Sequence, residues 1–137
     1  MIVADATLLI HFALPVAPEV DAERARAIYR QDSDWRVPSL WASEVRHVAL
    51  KYVRGGHLSP EAAEIALDAL SEVLAGRVMP IVHAEVFRAS LSLDLSAYDA
   101  EYAALAARLG VPLVTSDRRL REAVPSAVSP SAFVGTE

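Results

Sequence analysis

Asp5, Glu44, Asp99 and Asp117 are the residues of this chain that could do chemistry together. Asp5 ends the apolar opening Met1-Ile2-Val3-Ala4, and Asp117 ends the apolar run Val111-Pro112-Leu113-Val114-Thr115-Ser116. Glu44 and Asp99 stand near the expected starts of two helices. Carboxylates from four distant points, if folded together, make a cage of hard oxygen ligands suited to Mg²⁺ or Mn²⁺. A divalent ion held that way is the equipment of phosphodiester cleavage.

Each acid also has an ordinary structural role open to it. Asp5 can cap a helix over residues 7–14, and Asp117 can cap the helix that carries Arg118, Arg119 and Arg121. Asp99 fits the reciprocal acid of a capping box after Ser96, and Glu44 fits a first-turn acid favoured by the helix dipole. Two features favour the shared site. Glu44 follows the largely apolar segment Leu40-Trp41-Ala42, where burial without a cation is costly. Asp5 and Asp117 both end strands that read as buried.

The elements that must position these acids alternate along the chain. Strands are expected over residues 1–4, 35–37, 78–82, 111–116 and 127–128. Helices are expected over 7–14, 19–30, 38–54, 60–76, 83–93, 97–109 and 117–124. Trp41, Val45, Val48 and Tyr52 give the 38–54 helix its core stripe, and Gly55-Gly56 stop it. Ser59-Pro60-Glu61 and Ser96-Ala97-Tyr98-Asp99 are start signals, and Gly110 closes the helix begun by the second. This alternation predicts an α/β fold with a parallel sheet covered on both faces, residues 1–130 forming one domain and 131–137 a frayed tail. Sites in such sheets form beyond the carboxyl ends of the strands, where strand order reverses. If the first strand and the 111–116 strand are neighbours there, Asp5 and Asp117 face one crevice.

Composition narrows the function classes. The 137 residues are 53% hydrophobic, enough for a single packed core and too apolar for disorder. There is no cysteine. That removes thiolate zinc sites and cysteine nucleophiles, and it fits a reducing, cytoplasmic location. The opening lacks a basic n-region, and the charge-free stretch 6–18 is too short to span a bilayer, so no membrane association is expected. The net charge of −5 argues against a simple electrostatic nucleic-acid binder. Set the four acids aside, however, and it falls to −1.

Other motifs do not build sites. The four histidines show no zinc spacing, and His83-Ala84-Glu85 lacks the cysteines of a zinc deaminase. Asp5-Ala6-Thr7 departs from the haloacid-dehalogenase phosphatases, which want an aspartate where Thr7 stands. The chain has no P-loop or Rossmann glycine pattern.

Four segments together resemble the PIN-domain nucleases and, within them, the VapC-type toxins of bacterial toxin–antitoxin pairs. They are Val3-Ala4-Asp5-Ala6-Thr7, Val37-Pro38-Ser39-Leu40 through Glu44-Val45, Tyr98-Asp99-Ala100-Glu101-Tyr102 through Leu109-Gly110, and Pro112-Leu113-Val114-Thr115-Ser116-Asp117. They span nearly the whole chain in the family's order. The resemblance implies a three-layer α/β/α fold with a sheet of about five parallel strands. It implies that Asp5, Glu44, Asp99 and Asp117 hold one or two Mg²⁺ or Mn²⁺ ions for endoribonuclease activity, leaving 5′-phosphate and 3′-hydroxyl ends. It implies a homodimer and inhibition by a cognate antitoxin. Thr7 and Thr115 fall where the family often keeps a hydroxyl near metal or phosphate. One departure is His47, where the family often has asparagine; one turn beyond Glu44, it could hydrogen-bond that acid. Arg118, Arg119 and Arg121 are candidates for RNA phosphates, or a solvated helix face. The apolar residues within 13–29 and 62–74 could take an amphipathic antitoxin segment, or pack the core. The rival reading is a catalytically inactive PIN-like module that binds RNA or protein without cutting.

Overall fold

The computed structural model describes residues 1–135. Five short strands, β1 (Ile2–Ala4), β2 (Trp35–Pro38), β3 (Val78–Met79), β4 (Leu113–Val114) and β5 (Ala127–Val128), form one sheet in the order β3-β2-β1-β4-β5. All four pairings are parallel. The chain builds outward from β1 to β2 and β3, then returns to lay β4 on the other side of β1. The switch point expected from the sequence therefore lies between β1 and β4.

Alternating strand side chains feed two cores. Ile2, Ala4, Trp35, Val37 and Val114 pack with Leu8 and Leu9 of α1 (Ala6–Ala13), Ile28 of α2 (Glu19–Gln31), Val45 of α3 (Trp41–Arg54) and Leu70 of α4 (Pro60–Val73). Val3 and Leu113 point the other way. They pack with Leu105 of α6 (Ala97–Leu109) and Leu120 of α7 (Arg118–Ala123), while α5 (His83–Leu93) contributes Val86 and Ala89 at the edge. Helices on both faces of a parallel sheet give the expected three layers. Among the described residues no helix is long and apolar enough to cross a membrane.

Several boundaries differ from the sequence reading. The 78–82 strand stops at Met79, before Pro80, which has no N–H to donate to the ladder. The 111–116 run pairs formally only at Leu113–Val114, yet its flanks also bond. Val3 N donates to Pro112 O at 2.9 Å and Thr115 N to Val128 O at 3.0 Å. Pro38 belongs to β2, so the helix opens at Trp41 rather than Pro38. The expected frayed tail is instead a helix, α8 (Pro130–Val134). Ser129 Oγ accepts from Ala132 N at 3.1 Å, Pro130 takes the first turn, and Phe133 and Val134 pack on the first core. Residues 136 and 137 of that tail lie outside the described residues.

Candidate functional site

Ala4 pairs with Val114, so the next residues outward, Asp5 and Thr115, stand opposite each other at the carboxyl edge. Both are buried. Thr115 Oγ1 donates to Asp5 Oδ2, and Leu8 N donates to Asp5 Oδ1 at 2.9 Å, so Asp5 caps α1 as the sequence allows. The same Thr115 oxygen accepts from Asp117 N at 2.9 Å. Asp117 in turn caps α7, accepting from Arg119 N at 2.8 Å and Leu120 N at 3.3 Å. One buried hydroxyl thus ties the residue after β1 to the cap of α7.

The other two acids enter from first turns of helices. Glu44 of α3 is half-buried and accepts from the Tyr102 hydroxyl at 2.6 Å. Asp99 of α6 follows the cap Ser96, whose Oγ accepts from Asp99 N at 3.1 Å. All four acids therefore sit at helix N-termini, where the dipole favours negative charge.

The charges of these acids also act on one another. Asp5 is raised to about 6, first by burial, against the Thr115 and Leu8 hydrogen bonds, and further by the charges of Asp117 and Glu44. Glu44 is raised by burial and by the charges of Asp99 and Glu101, against its Tyr102 bond. Asp99 is raised by burial and by Asp117, with Arg119 pulling the other way. Each of the three raised carboxyls is pushed up in part by the charge of another of the four, and these links join Asp5, Glu44, Asp99 and Asp117 in a ring. A cluster of oxygens in which negative charge is disfavoured by burial and by its own members suits a hard divalent cation. As placed, however, no three His, Asp or Glu side chains among the described residues stand where they could hold an ion. The carboxylates are turned to their own partners instead: Asp5 to Leu8 and Thr115, Glu44 to Tyr102, Asp117 to the α7 amides.

The remaining expected residues divide. Thr7 is half-buried in the first turn of α1. His47 is exposed and gives no hydrogen bond to Glu44; among the described residues that bond comes from Tyr102. Arg118 pairs with Glu122 at 2.9 Å on the surface. Arg121 Nη1 braces the approach to Asp117 by donating to Ser116 O at 2.8 Å and Thr115 O at 3.4 Å. Arg119 is the arginine whose charge acts on an acid of the site. Sequence reasoning missed Tyr102, whose phenol is pushed up first by burial and then by Glu44. Its signal was present: it lies three residues after Asp99, on the same face of α6.

The chain is 33% identical over 117 residues to Ribonuclease VapC3 of Pyrobaculum aerophilum, spanning 82% of this chain and 88% of that protein. It is 36% identical over 93 residues to Ribonuclease VapC1 of Mycobacterium tuberculosis, spanning 68% of this chain and 70% of the relative. The crystal structure of PAE2754 from Pyrobaculum aerophilum superposes with a TM-score of 0.78 at 24% identity, over 98% of this chain and 86% of that one. FitAB bound to an IR36 DNA fragment superposes with a TM-score of 0.70 at 18% identity, over 95% of each chain. These two likenesses concern the fold alone. The model of the PIN domain matches residues 2–124, from β1 through α7, and the chain belongs to the PIN domain family.

Proposed function

We propose that this chain is a metal-dependent endoribonuclease, the toxin of a type II toxin–antitoxin pair, working in the cytoplasm as a homodimer. The observation that carries the reading is the closed ring of four acids at the β1/β4 switch point, each of them at a helix N-terminus and three of them raised. The ribonuclease names of the relatives support it.

Asp5, Glu44, Asp99 and Asp117 are the residues that would hold Mg²⁺ or Mn²⁺. When bound, such ions supply Lewis acidity toward a phosphate oxygen and lower the pKa of a coordinated water. The chain's own residues do the rest. Thr115 fixes the Asp5 carboxylate, Tyr102 fixes Glu44, and Arg119 sets positive charge beside Asp99. Water attacks phosphorus in line and the 3′ oxygen leaves, which gives 5′-phosphate and 3′-hydroxyl ends.

The test is incubation of purified protein with RNA in Mg²⁺, Mn²⁺ or EDTA, alongside Asp5→Asn, Asp99→Asn and Glu44→Gln. The expected outcome is cleavage that EDTA abolishes and that each variant loses while remaining folded. Cleavage retained by all three variants would refute the assignment. A module that binds RNA or protein without cutting is favoured by one observation, that among the described residues no three acids are placed where they could hold an ion. The absence of any EDTA-sensitive cleavage would select it.

The protein partner proposed is an antitoxin with an amphipathic segment. Of the apolar residues in 62–74, Leu70 and Leu74 belong to the core, while Ile65 is exposed. A shallow apolar groove between α3 and α4, lined by Leu50, Val53, Ala63 and Leu67, suits such a segment. The proposed homodimer would use the outer face of α5, where Phe87 and Leu91 stand exposed.

A further inference from the structure

Beside the acid ring lies a pocket of about 260 Å³ with the opposite charge balance. Its wall includes His11 of α1, Asp21 and Arg24 of α2, Ser116, and Arg121 of α7. Among the described residues of that wall, two guanidinium groups and an imidazole stand with a single carboxylate.

The wall is continuous with the site. Leu8, also in the lining, is the residue whose amide holds Asp5. Ser116 stands between Thr115 and Asp117, and its carbonyl is held by Arg121. The pocket thus shares Leu8 and Ser116 with the surroundings of Asp5 and Asp117, while none of the four acids is among its described lining residues.

Arg24 is the unusual member. Its helix neighbours Arg26 and Arg30 spend their charge on Glu19 and Glu23 at the surface. Among the described residues no hydrogen bond or ion pair reaches Arg24, although it is half-buried. A half-buried guanidinium with no partner favours an anion. A polyanionic substrate approaching a chain of net charge −5 needs such local cations near the acids.

We propose that this pocket is a phosphate subsite, holding the RNA backbone phosphate next along the chain from the one at the acid ring. Arg24 is its main cation, and Arg121, held by the Ser116 carbonyl, also lines it. The position relative to the cut phosphate rests on the nuclease reading; the binding itself does not.

The experiment measures affinity of a fluorescently labelled single-stranded RNA by anisotropy, in EDTA, across a salt series. The proteins are wild type, Arg24→Gln, Arg24→Lys and, as a surface control, Arg54→Gln at the far end of α3. Arg24→Gln is expected to bind about tenfold more weakly on any sequence, with the salt slope reduced by about 0.7, the value of one single-strand phosphate. Arg24→Lys keeps most of the slope, and Arg54→Gln matches wild type. An Arg24→Gln protein with wild-type affinity and slope overturns the subsite, as does a loss equal to that of Arg54→Gln. A wild-type protein that binds no RNA overturns it too. RNA bound in this arginine-dependent way by a protein that never cuts with Mg²⁺ or Mn²⁺ refutes the nuclease reading and leaves the subsite. Cutting with Arg24-independent affinity refutes the subsite alone.

Discussion

Asp5 caps α1 through one oxygen and takes the Thr115 hydroxyl on the other, so its structural and chemical roles coexist in one side chain. The sequence poses cap and ligand as alternatives; four helix N-termini gathered at one sheet edge make them the same arrangement. That gathering leaves a signature in stability. Burial lifts Asp5 from 3.8 to about 6, so the folded protein binds this proton more tightly than the unfolded chain does. Below the unfolded value both states are protonated and nothing is lost. As pH rises from 3.8 to about 6 the unfolded chain ionises first, and folded stability falls by roughly 3 kcal/mol, a loss that persists above. Glu44 and Asp99 shift in the same direction, so Asp5→Asn should shrink this fall rather than remove it. Urea unfolding in EDTA from pH 4 to 8 checks this: the variant should be the more stable at pH 7, and Mn²⁺ should raise the wild-type midpoint but not the variant's. Identical pH profiles for the two proteins would reject the burial argument. Tyr102 makes the complementary case. Its partner Glu44 is 58 positions away in sequence, so the pair was legible only as a spacing from Asp99, never as a contact. The hydroxyl lowers Glu44, and Tyr102→Phe should move the acidic limb of the cleavage pH profile upward. It should also lower kcat/KM roughly ten- to a hundredfold, since hydrogen bonds to charged groups contribute on the order of 1.5–3 kcal/mol. A variant with reduced melting temperature but an unmoved acidic limb would make Tyr102 a packing residue only.

Elements were legible where side-chain pattern decides them and less so where backbone pairing does. The apolar runs that open the chain and precede Asp117 mark β1 and β4 plainly, but alternation of strands and helices leaves strand order open, and it is the structure that makes the two neighbours at the switch point. The ends of β3 and β4 did not follow, because they depend on which amides find a neighbour, and Pro80 and Pro112 have none to offer. The last helix was missed for a different reason. Ser129-Pro130 is the same start signal that marks α4, but five residues cannot sustain a helix alone; α8 exists because Phe133 and Val134 have a core to pack against. Packing also divides α4, turning Leu70 and the capping Leu74 just after it inward while Leu67 lines the groove shared with α3. If an antitoxin segment lies in that groove, Leu50→Glu should abolish co-purification with the product of the adjacent gene. Leu50 is 48% exposed, so the substitution should leave the melting temperature within a degree or two of wild type. Wild type that captures no such product, or a Leu50→Glu protein that captures it equally, would remove the groove from the interface.

At the scale of the whole molecule, charge and apolar surface pull association in opposite directions. The chain carries −5, so two copies repel at long range. Against this, α5 presents Phe87 at 67% and Leu91 at 82% exposure, four residues apart and so on one helix face. Val82 before α5 and Tyr98 at the start of α6 are also exposed. Large apolar groups gathered at one edge are what an interface core needs, and a standard interface covers about 800 Å² on each partner. Salt separates the two forces: it screens the repulsion within a Debye length and leaves apolar burial intact. Dimerisation should therefore strengthen as salt rises, whereas RNA binding should weaken over the same range. Phe87→Glu with Leu91→Glu should yield a folded monomer by light scattering on a sizing column, because neither side chain contributes to a core in the single chain. If the surface instead serves another partner, wild type will already run as a monomer at every salt concentration. A double variant that stays dimeric would place the interface elsewhere on the molecule.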